Sequence, residues 1–371
     1  MHSIIDQFAD TIRAAAQNGQ RPRTLRIRSG GTKDFYGNRD TNPMDSSTLD
    51  ASAYAGIVEY EPTELVITAR SGSRLADLEA QLGRQGQMLA FEPPRFGPGA
   101  TLGGCVATGL SGPRRASAGA VRDFVLGVRM LDGRGEDLAF GGQVMKNVAG
   151  YDVSRLMTGS MGTLGLLLEV SLKVLPLPAR EFTLRLLMSE AAAIEKMNAW
   201  ARRPLPISAT SFCDGELNVR LSGAESAVRA ARAVLGGEEI PDGTAFWESV
   251  REQTHPFFQS QPSIQLWRLS MKSTTAAPLS LPGRQLIEWG GALRWLIIHT
   301  DAEADQEDSM ERAIRNAAQK AGGHATLFRS DRPSMAVFHP LSPAMMAINR
   351  RLKEKFDPMH LFNPGRMYPE I

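Results

Sequence analysis

Apolar residues recur with a helical period at the start of the chain. Ile4, Ile5, Phe8 and Ile12 share one face, with Asp6 and Asp10 away from it, so a first amphipathic helix is predicted over residues 3–17. Short β-like runs follow at 25–28, 57–60 and 65–69, and Leu75, Leu78 and Leu82 predict a helix over 74–85. Runs at 124–131 and 137–140 flank Asp132-Gly133-Arg134-Gly135, the signal of a β-hairpin. Residues 166–175 form a near-continuous apolar strand, which Pro176-Leu177-Pro178 stops.

Beyond that proline pair strands and helices intersperse. Strand-like runs at 182–188, within 210–221, at 264–271, within 286–298 and at 325–329 are separated by helical patterns at 189–202, 224–235 and 302–321. This predicts an α+β domain with helices packed on one face of a sheet. A last helix, 345–356, leads to a closing Asn-Pro-Gly-Arg segment. The expected division is a first domain over 1–178, a second over 179–342, and a terminal segment over 343–371.

Glycine is concentrated in three places in the first 165 residues. Arg28-Ser29-Gly30-Gly31-Thr32-Lys33 follows the strand at 25–28, and Phe96-Gly97-Pro98-Gly99-Ala100-Thr101-Leu102-Gly103-Gly104 runs on to Gly109, Ser111 and Gly112. The third is Val144 to Gly165, which contains Lys146-Asn147, Tyr151-Asp152 and Gly159-Ser160-Met161-Gly162-Thr163-Leu164-Gly165. Successive amides of a glycine turn form a concave anion nest, and Arg28 and Lys33 add charge to the first. The Ser160 and Thr163 hydroxyls are suitable donors to phosphate or ribose oxygens. Neither earlier loop is a Walker A sequence or a strand-to-helix G-x-G-x-x-G. Three such loops suit an extended cofactor held along its length; ordinary hairpins are the plainer reading.

The order S-G-G-T, P-G-A-T-L-G-G, G-x-x-R-D (Gly119 to Asp123), K-N-V-A-G-Y-D and G-S-x-G-T-L-G resembles the FAD-binding domain of the vanillyl-alcohol oxidase / p-cresol methylhydroxylase superfamily. Asp357-Pro358 and Phe362-Asn363-Pro364-Gly365-Arg366 match that superfamily's closing segment. V-M-K-N-V-A-G-Y-D at 144–152, W-G-G-A-L-R-W at 289–295 and G-G-H-A-T-L-F-R at 322–329 narrow the resemblance to the accessory FAD-binding subunits, the E components, of bacterial glycolate oxidase. It covers essentially the whole chain. It implies an α+β protein with a two-subdomain PCMH-type FAD-binding domain, a ferredoxin-like cap, and a tail returning to the first domain.

The same resemblance assigns cofactor contacts to Arg28, Ser29, Gly30, Gly31, Thr32, Lys33, Pro98, Gly99, Thr101, Leu102, Gly103 and Gly104. Gly109, Ser111, Gly112, Asp123, Lys146, Gly159, Ser160, Gly162, Thr163, Gly165, Asn363 and Gly365 complete the set. Thr32 stands where relatives with covalent flavin can carry His, so FAD is expected to be non-covalent. Cys105, next to Gly104, admits a thioether reading, but a free Cys is more often a small buried hydrophobe. Lys146 is read either as a phosphate or flavin partner or as a surface cation.

Composition narrows the class. A chain of 371 residues favours two domains, and a net charge of +2 with no basic block gives no ground for a nucleic-acid partner. The two cysteines, Cys105 and Cys213, are too few for a disulfide framework or a cluster held by this chain alone. No secretory h-region or bilayer-length apolar run is present, so membrane contact is expected through a partner and the location cytoplasmic.

Oxidising a 2-hydroxy acid needs a cation for the carboxylate, a base for the hydroxyl proton and an electron acceptor. The histidines are His2, His255, His299, His324, His339 and His360, with no pair at local metal-ligand spacing, and no metal is expected. Arg268 and Arg294 serve equally as carboxylate clamps or interface arginines. Trp267, Trp289 and Trp295 fit a binding hot spot as well as a core. The expectation is therefore an accessory or electron-relaying FAD subunit of a glycolate-oxidising complex, docked to a homologous catalytic flavoprotein and an iron–sulfur subunit. A self-sufficient FAD-dependent 2-hydroxy-acid dehydrogenase and a structural subunit that kept the fold are the alternatives.

Overall fold

The computed structural model describes residues 3–17, 22–38, 46–142, 152–259, 264–276, 281–299, 304–330 and 336–371. The chain forms two compact units. The first comprises Met1–Leu110, Ala120–Pro176 and Pro340–Ile371; the second comprises Ser111–Gly119 and Leu177–His339.

The first unit opens with the helix Ile4–Ala16. Ser3 caps it, its hydroxyl accepting from the Asp6 amide while the Asp6 carboxylate accepts from the Ser3 amide. The strand Thr24–Arg28 pairs in parallel with Ser46–Asp50. A five-stranded antiparallel sheet runs in the order Ile57–Glu61, Val66–Arg70, Leu166–Lys173, Val125–Leu131, Asp137–Gly141. Its strand Leu166–Lys173 is buried on both faces, which accounts for the near-continuous apolar run. Phe8, Ile12, Leu25, Leu49, Tyr54, Leu166, Leu361 and Phe362 form one core, so the first helix and the C-terminal tail share a hydrophobic centre.

The stretch 102–108, read above as part of a glycine loop, is a helix, Leu102–Thr108. Thr101 caps it through Oγ1, which accepts from the Gly104 amide at 3.3 Å, and Gly109 ends it in the left-handed conformation (φ +66°). The glycines serve close approach. A Cβ on Gly103 would stand 2.8 Å from the Ser71 Cβ, and the Gly103 amide donates to the Ser71 carbonyl at 2.8 Å.

The second unit holds one eight-stranded antiparallel sheet. Its order is Glu238–Glu239, Arg180–Leu187, Glu216–Gly223, Ile207–Cys213, Arg284–Glu288, Leu293–His299, Ile264–Ser270, His324–Ser330. Its first half has the ferredoxin-like β-α-β-β-α-β order, with Glu190–Trp200 and Glu225–Leu235 as the crossover helices. Their apolar faces close a core of Leu184, Ile194, Met197, Trp200, Phe212, Val219, Val228 and Ile287. A second core joins Trp267, Leu269, Leu296 and Leu327 to Ile314 and Ala318 of the helix Ala304–Lys320.

The short segment Ser111–Gly119 belongs to this second unit. The Trp289 indole donates to the Gly112 carbonyl at 3.1 Å, Ser117 Oγ donates to the Ser208 carbonyl at 2.9 Å, and Arg114 pairs with Glu181 at 3.1 Å.

Candidate cofactor cleft

A cleft of about 880 Å³, open to solvent, lies within the first unit. Its walls come from the strand Thr24–Arg28, the turn at 29–34, the helix Leu102–Thr108, Met161 and the tail at 363–366. A contiguous second lobe adds Ser71, Gly103, Gly162 and Gly165.

The turns are held against one another by backbone contacts. Gly30 faces Gly99 so closely that a Cβ on Gly30 would lie 1.5 Å from the Gly99 carbonyl oxygen. The amides of Gly159 and Met161 donate to the carbonyls of Val106 and Ala107 at 2.9 and 2.8 Å, tying the third glycine segment to the helix. Gly162 (φ +71°) packs under Asn363, whose Nδ2 donates to the Met161 carbonyl at 2.8 Å. The Ile27 amide donates to Asn363 Oδ1 at 2.9 Å, and the Asn363 amide donates to the Leu25 carbonyl at 3.0 Å. Asn363 is thus a strut between two walls.

The polar groups left over are those an anionic ligand would use. Ser29 Oγ and Ser71 Oγ are buried with no hydrogen-bond partner among the described residues, and both residues line the cleft. Such orphaned hydroxyls cost free energy unless something fills the space beside them. Among the described residues no backbone carbonyl accepts from the amides of Gly30, Gly31 or Thr32. Among the described residues, Arg26, Arg28, Lys33 and Arg366 line the cleft beside one carboxylate, Asp34. Asp34 pairs with Arg28 at 2.8 Å and Arg26 at 3.1 Å, while Lys33 reaches the Arg95 carbonyl at 3.5 Å. Orphaned hydroxyls, turn amides and net positive charge fit a diphosphate-bearing cofactor.

Of the residues assigned to the cofactor from sequence, Arg28, Ser29, Gly30, Gly31, Thr32, Lys33, Thr101, Gly103, Gly104, Gly162, Gly165 and Asn363 line the cleft. Others do local structural work. Gly99 backs Gly30, Leu102 is core, and Gly109 backs Gly159. Thr163 Oγ1 donates to the Ser160 carbonyl at 2.7 Å, closing its own turn, and Gly365 donates to the Ile371 carbonyl. Pro98, Gly159 and Ser160 stand outside the lining set. Asp123 is exposed and caps the turn Val121–Phe124 by accepting from the Ala120 amide at 2.8 Å. Ser111 and Gly112 belong to the second unit and are not among the residues that line the cleft. Lys146 lies outside the described residues. The structure adds Ser71, Met161, Asn38 and Arg366 to the lining. Arg366 was legible in the closing motif. Ser71 follows a strand in a Ser-Gly-Ser turn, a weak signal.

Burial decides several other candidates. Cys105 is buried, and desolvation pushes its thiol up to about 12, which keeps it neutral and unreactive. Trp267, Trp289 and Trp295 are 0%, 5% and 7% exposed, so they belong to the interior of the second unit and not to a docking surface. Their indoles donate to Gln265, Gly112 and Glu288 respectively. Arg294 is fully buried, its guanidinium donating to the Thr275 carbonyl and standing 4.0 Å from Glu190. Arg268 stacks over the Trp289 ring at 5.3 Å. The structure brings His339 beside the strand of His324: His339 Nδ1 accepts from the Ala325 amide at 3.4 Å.

Comparison with known proteins adds the lineage. Residues 4–141 match the FAD binding domain family. The chain is 49% identical over 347 residues to the glycolate oxidase subunit GlcE of Escherichia coli (strain K12), covering 94% of this chain and 93% of that one. The chain belongs to the GlcE family. Shorter stretches of this GlcE family member resemble D-lactate dehydrogenase of Anaerostipes hadrus, 38% identical over 33% of this chain and 25% of that protein. Glycolate oxidase subunit GlcD of Bacillus subtilis (strain 168) is 32% identical over 34% of this chain and 27% of its own length. A solved structure of alkyldihydroxyacetonephosphate synthase superimposes over 98% of this chain and 76% of its own, with a TM-score of 0.67 at 16% identity, so this chain shares its fold. No helix among the described residues is long and apolar enough to cross a membrane.

Proposed function

We propose that this chain is a non-covalent FAD-binding subunit of a glycolate oxidase complex, accessory to or relaying electrons beside a homologous catalytic flavoprotein. The observation that carries the cofactor assignment is the pair of orphaned hydroxyls, Ser29 and Ser71, in a positively charged cleft walled by glycine turns. Ser29, Ser71 and the amides at 30–32 would hold the polar groups of FAD, with Arg28 and Lys33 supplying charge. Gly30 and Gly103 keep side chains out of the space beside them. Bound FAD supplies an acceptor for two electrons that can pass them on singly.

The chain's own side chains support an accessory part. The Arg294 guanidinium is sealed in the second unit, and His255 and His339 spend their Nδ1 atoms accepting the amides of Phe257 and Ala325. We expect the carboxylate clamp and the proton acceptor from the partner; Arg268 and His324, neighbours on adjacent strands of the second unit, are the pair to replace in this chain to check it. The catalytic partner is a flavoprotein of the GlcD kind, and an iron–sulfur subunit carries the electrons onward to a membrane acceptor. That subunit supplies the cluster for which Cys105 and Cys213, both buried, provide no ligand set.

The test is glycolate-dependent dye reduction by the purified chain, by its catalytic partner from the same host, and by the two together. Reduction that requires both supports the proposal. Turnover by this chain alone makes it a self-sufficient 2-hydroxy-acid dehydrogenase.

A further inference from the structure

Lys353 lies in the C-terminal helix Pro343–Phe356, one turn before Asp357, and both side chains are 0% exposed. An ammonium has three protons, and Lys353 Nζ has three acceptors. They are Asp357 Oδ2 at 2.7 Å, the Thr163 carbonyl at 2.8 Å and the Phe362 carbonyl at 2.8 Å. Asp357 in turn accepts from the amides of Leu361 and Phe362 at 2.9 and 2.7 Å. Burial lowers the Lys353 pKa, and the neighbouring carboxylate opposes that shift.

A buried ion pair is often no more stabilising than apolar side chains of similar volume, so a role beyond stability has to be sought. Two of the acceptors identify it. Thr163 belongs to the turn that carries Met161 and Gly162, and Phe362 precedes Asn363; Met161, Gly162 and Asn363 all line the cleft. Asn363 then bonds both to the Met161 carbonyl and to the Ile27 amide on the opposite wall.

We propose that Lys353 is a positioning residue for the cofactor. Its single ammonium fixes the 161–163 turn and the Asn363 strut to each other, so that the cleft has its shape before a ligand enters. The inference rests on reading the cleft as the FAD site.

The experiment compares wild type, Asn363→Ala and the double variant Lys353→Met/Asp357→Asn, which strands no charge. Three quantities are read on apo-protein: the thermal midpoint, FAD affinity by quenching of flavin fluorescence, and amide hydrogen exchange at 159–166 and 361–366. The double variant leaves the Thr163 and Phe362 carbonyls without a donor and one of the Leu361 and Phe362 amides without an acceptor, so its thermal midpoint is expected to fall. At a temperature where it is fully folded it should bind FAD about tenfold or more weakly and exchange faster in both segments. The bound flavin's visible band should also lose vibronic structure. Asn363→Ala, which leaves the buried pair intact, should weaken FAD comparably and accelerate exchange in the tail. Unchanged affinity, flavin spectrum and exchange in the double variant would overturn the proposal. Should that variant not fold, unchanged FAD affinity in Asn363→Ala overturns it, because the strut is then not what shapes the cleft. A wild type that binds no FAD defeats the cleft reading itself; faster exchange in the double variant would then show a purely structural clamp.

Discussion

Replacing Gly30 by alanine puts one methyl group where the structure has no room. The added Cβ would lie 1.5 Å from the Gly99 carbonyl oxygen and 2.5 Å from its carbon. Real Cβ contacts essentially never fall below 3.0 Å, so a gap of at least 3.0 − 1.5 = 1.5 Å must open. Both partners are backbone, and neither can rotate away as a side chain would. Overpacking of this kind costs about 1–3 kcal/mol of stability. The larger effect falls on the ligand, because the amides at 30–32 move with the turn. Losing one amide hydrogen bond to a charged group, worth about 1.5–3 kcal/mol, should weaken FAD binding by about ten- to a hundredfold. Apo-protein titrated with FAD under fluorescence, beside thermal unfolding, measures both. Gly103→Ala, at 2.8 Å from the Ser71 Cβ, should be milder. Gly83→Ala, in the helix Leu75–Arg84 with nothing within 4 Å, should bind normally and gain up to about 1 kcal/mol. Wild-type affinity in Gly30→Ala, or equal losses in Gly30→Ala and Gly83→Ala, would refute the reasoning.

Acidification should weaken the second unit. Burial is the leading cause that lowers the pKa of both His255 and His339 below 6.5, so as pH falls the unfolded chain takes up the protons first. Stability is therefore lost on passing below about pH 6.5, and thermal midpoints from pH 7.5 to 5.5 should fall less steeply in a His255→Asn/His339→Asn variant. The thiols give a second check. Cys105 and Cys213 are buried with both thiols pushed up to about 12, so a disulfide thiol reagent at pH 8 should label neither in the folded protein and both after denaturation. Acid precipitation should release all flavin to the supernatant; flavin retained on the protein would revive the thioether at Cys105.

Much of the fold was legible because periodicity reports burial directly. The helix Ile4–Ala16 buries Phe8 and Ile12, with Ile4 and Ile5 half-buried against the same core, and the strand Leu166–Lys173 buries its leucines and Val170. The helix Leu102–Thr108 was hidden because glycines at 103 and 104 have poor helix propensity; their close approach to Ser71 and the Thr101 cap override it. The strand Ser46–Asp50 carries one buried residue, Leu49, too little pattern to read. Ser111 and Gly112 continue the glycine-rich stretch without a break, so nothing in their order discloses that Trp289 and Ser208 hold their segment in the second unit. The tryptophans could not be assigned from sequence because core and interface use the same residue types. Ser71 escaped notice because a hydroxyl after a strand is ordinary turn chemistry; its missing partner is visible in three dimensions alone.

The central claim is that the cleft at Ser29 and Ser71 holds FAD. The most direct measurement is FAD stoichiometry and affinity for wild type and for Ser29→Ala/Ser71→Ala, with the apo thermal midpoint of each. One FAD per chain is predicted, with affinity about tenfold weaker in the double variant at an unchanged apo midpoint, since neither hydroxyl has a partner to lose among the described residues. A colourless wild type that takes up no FAD, or a double variant that binds it as tightly as wild type, would contradict the account.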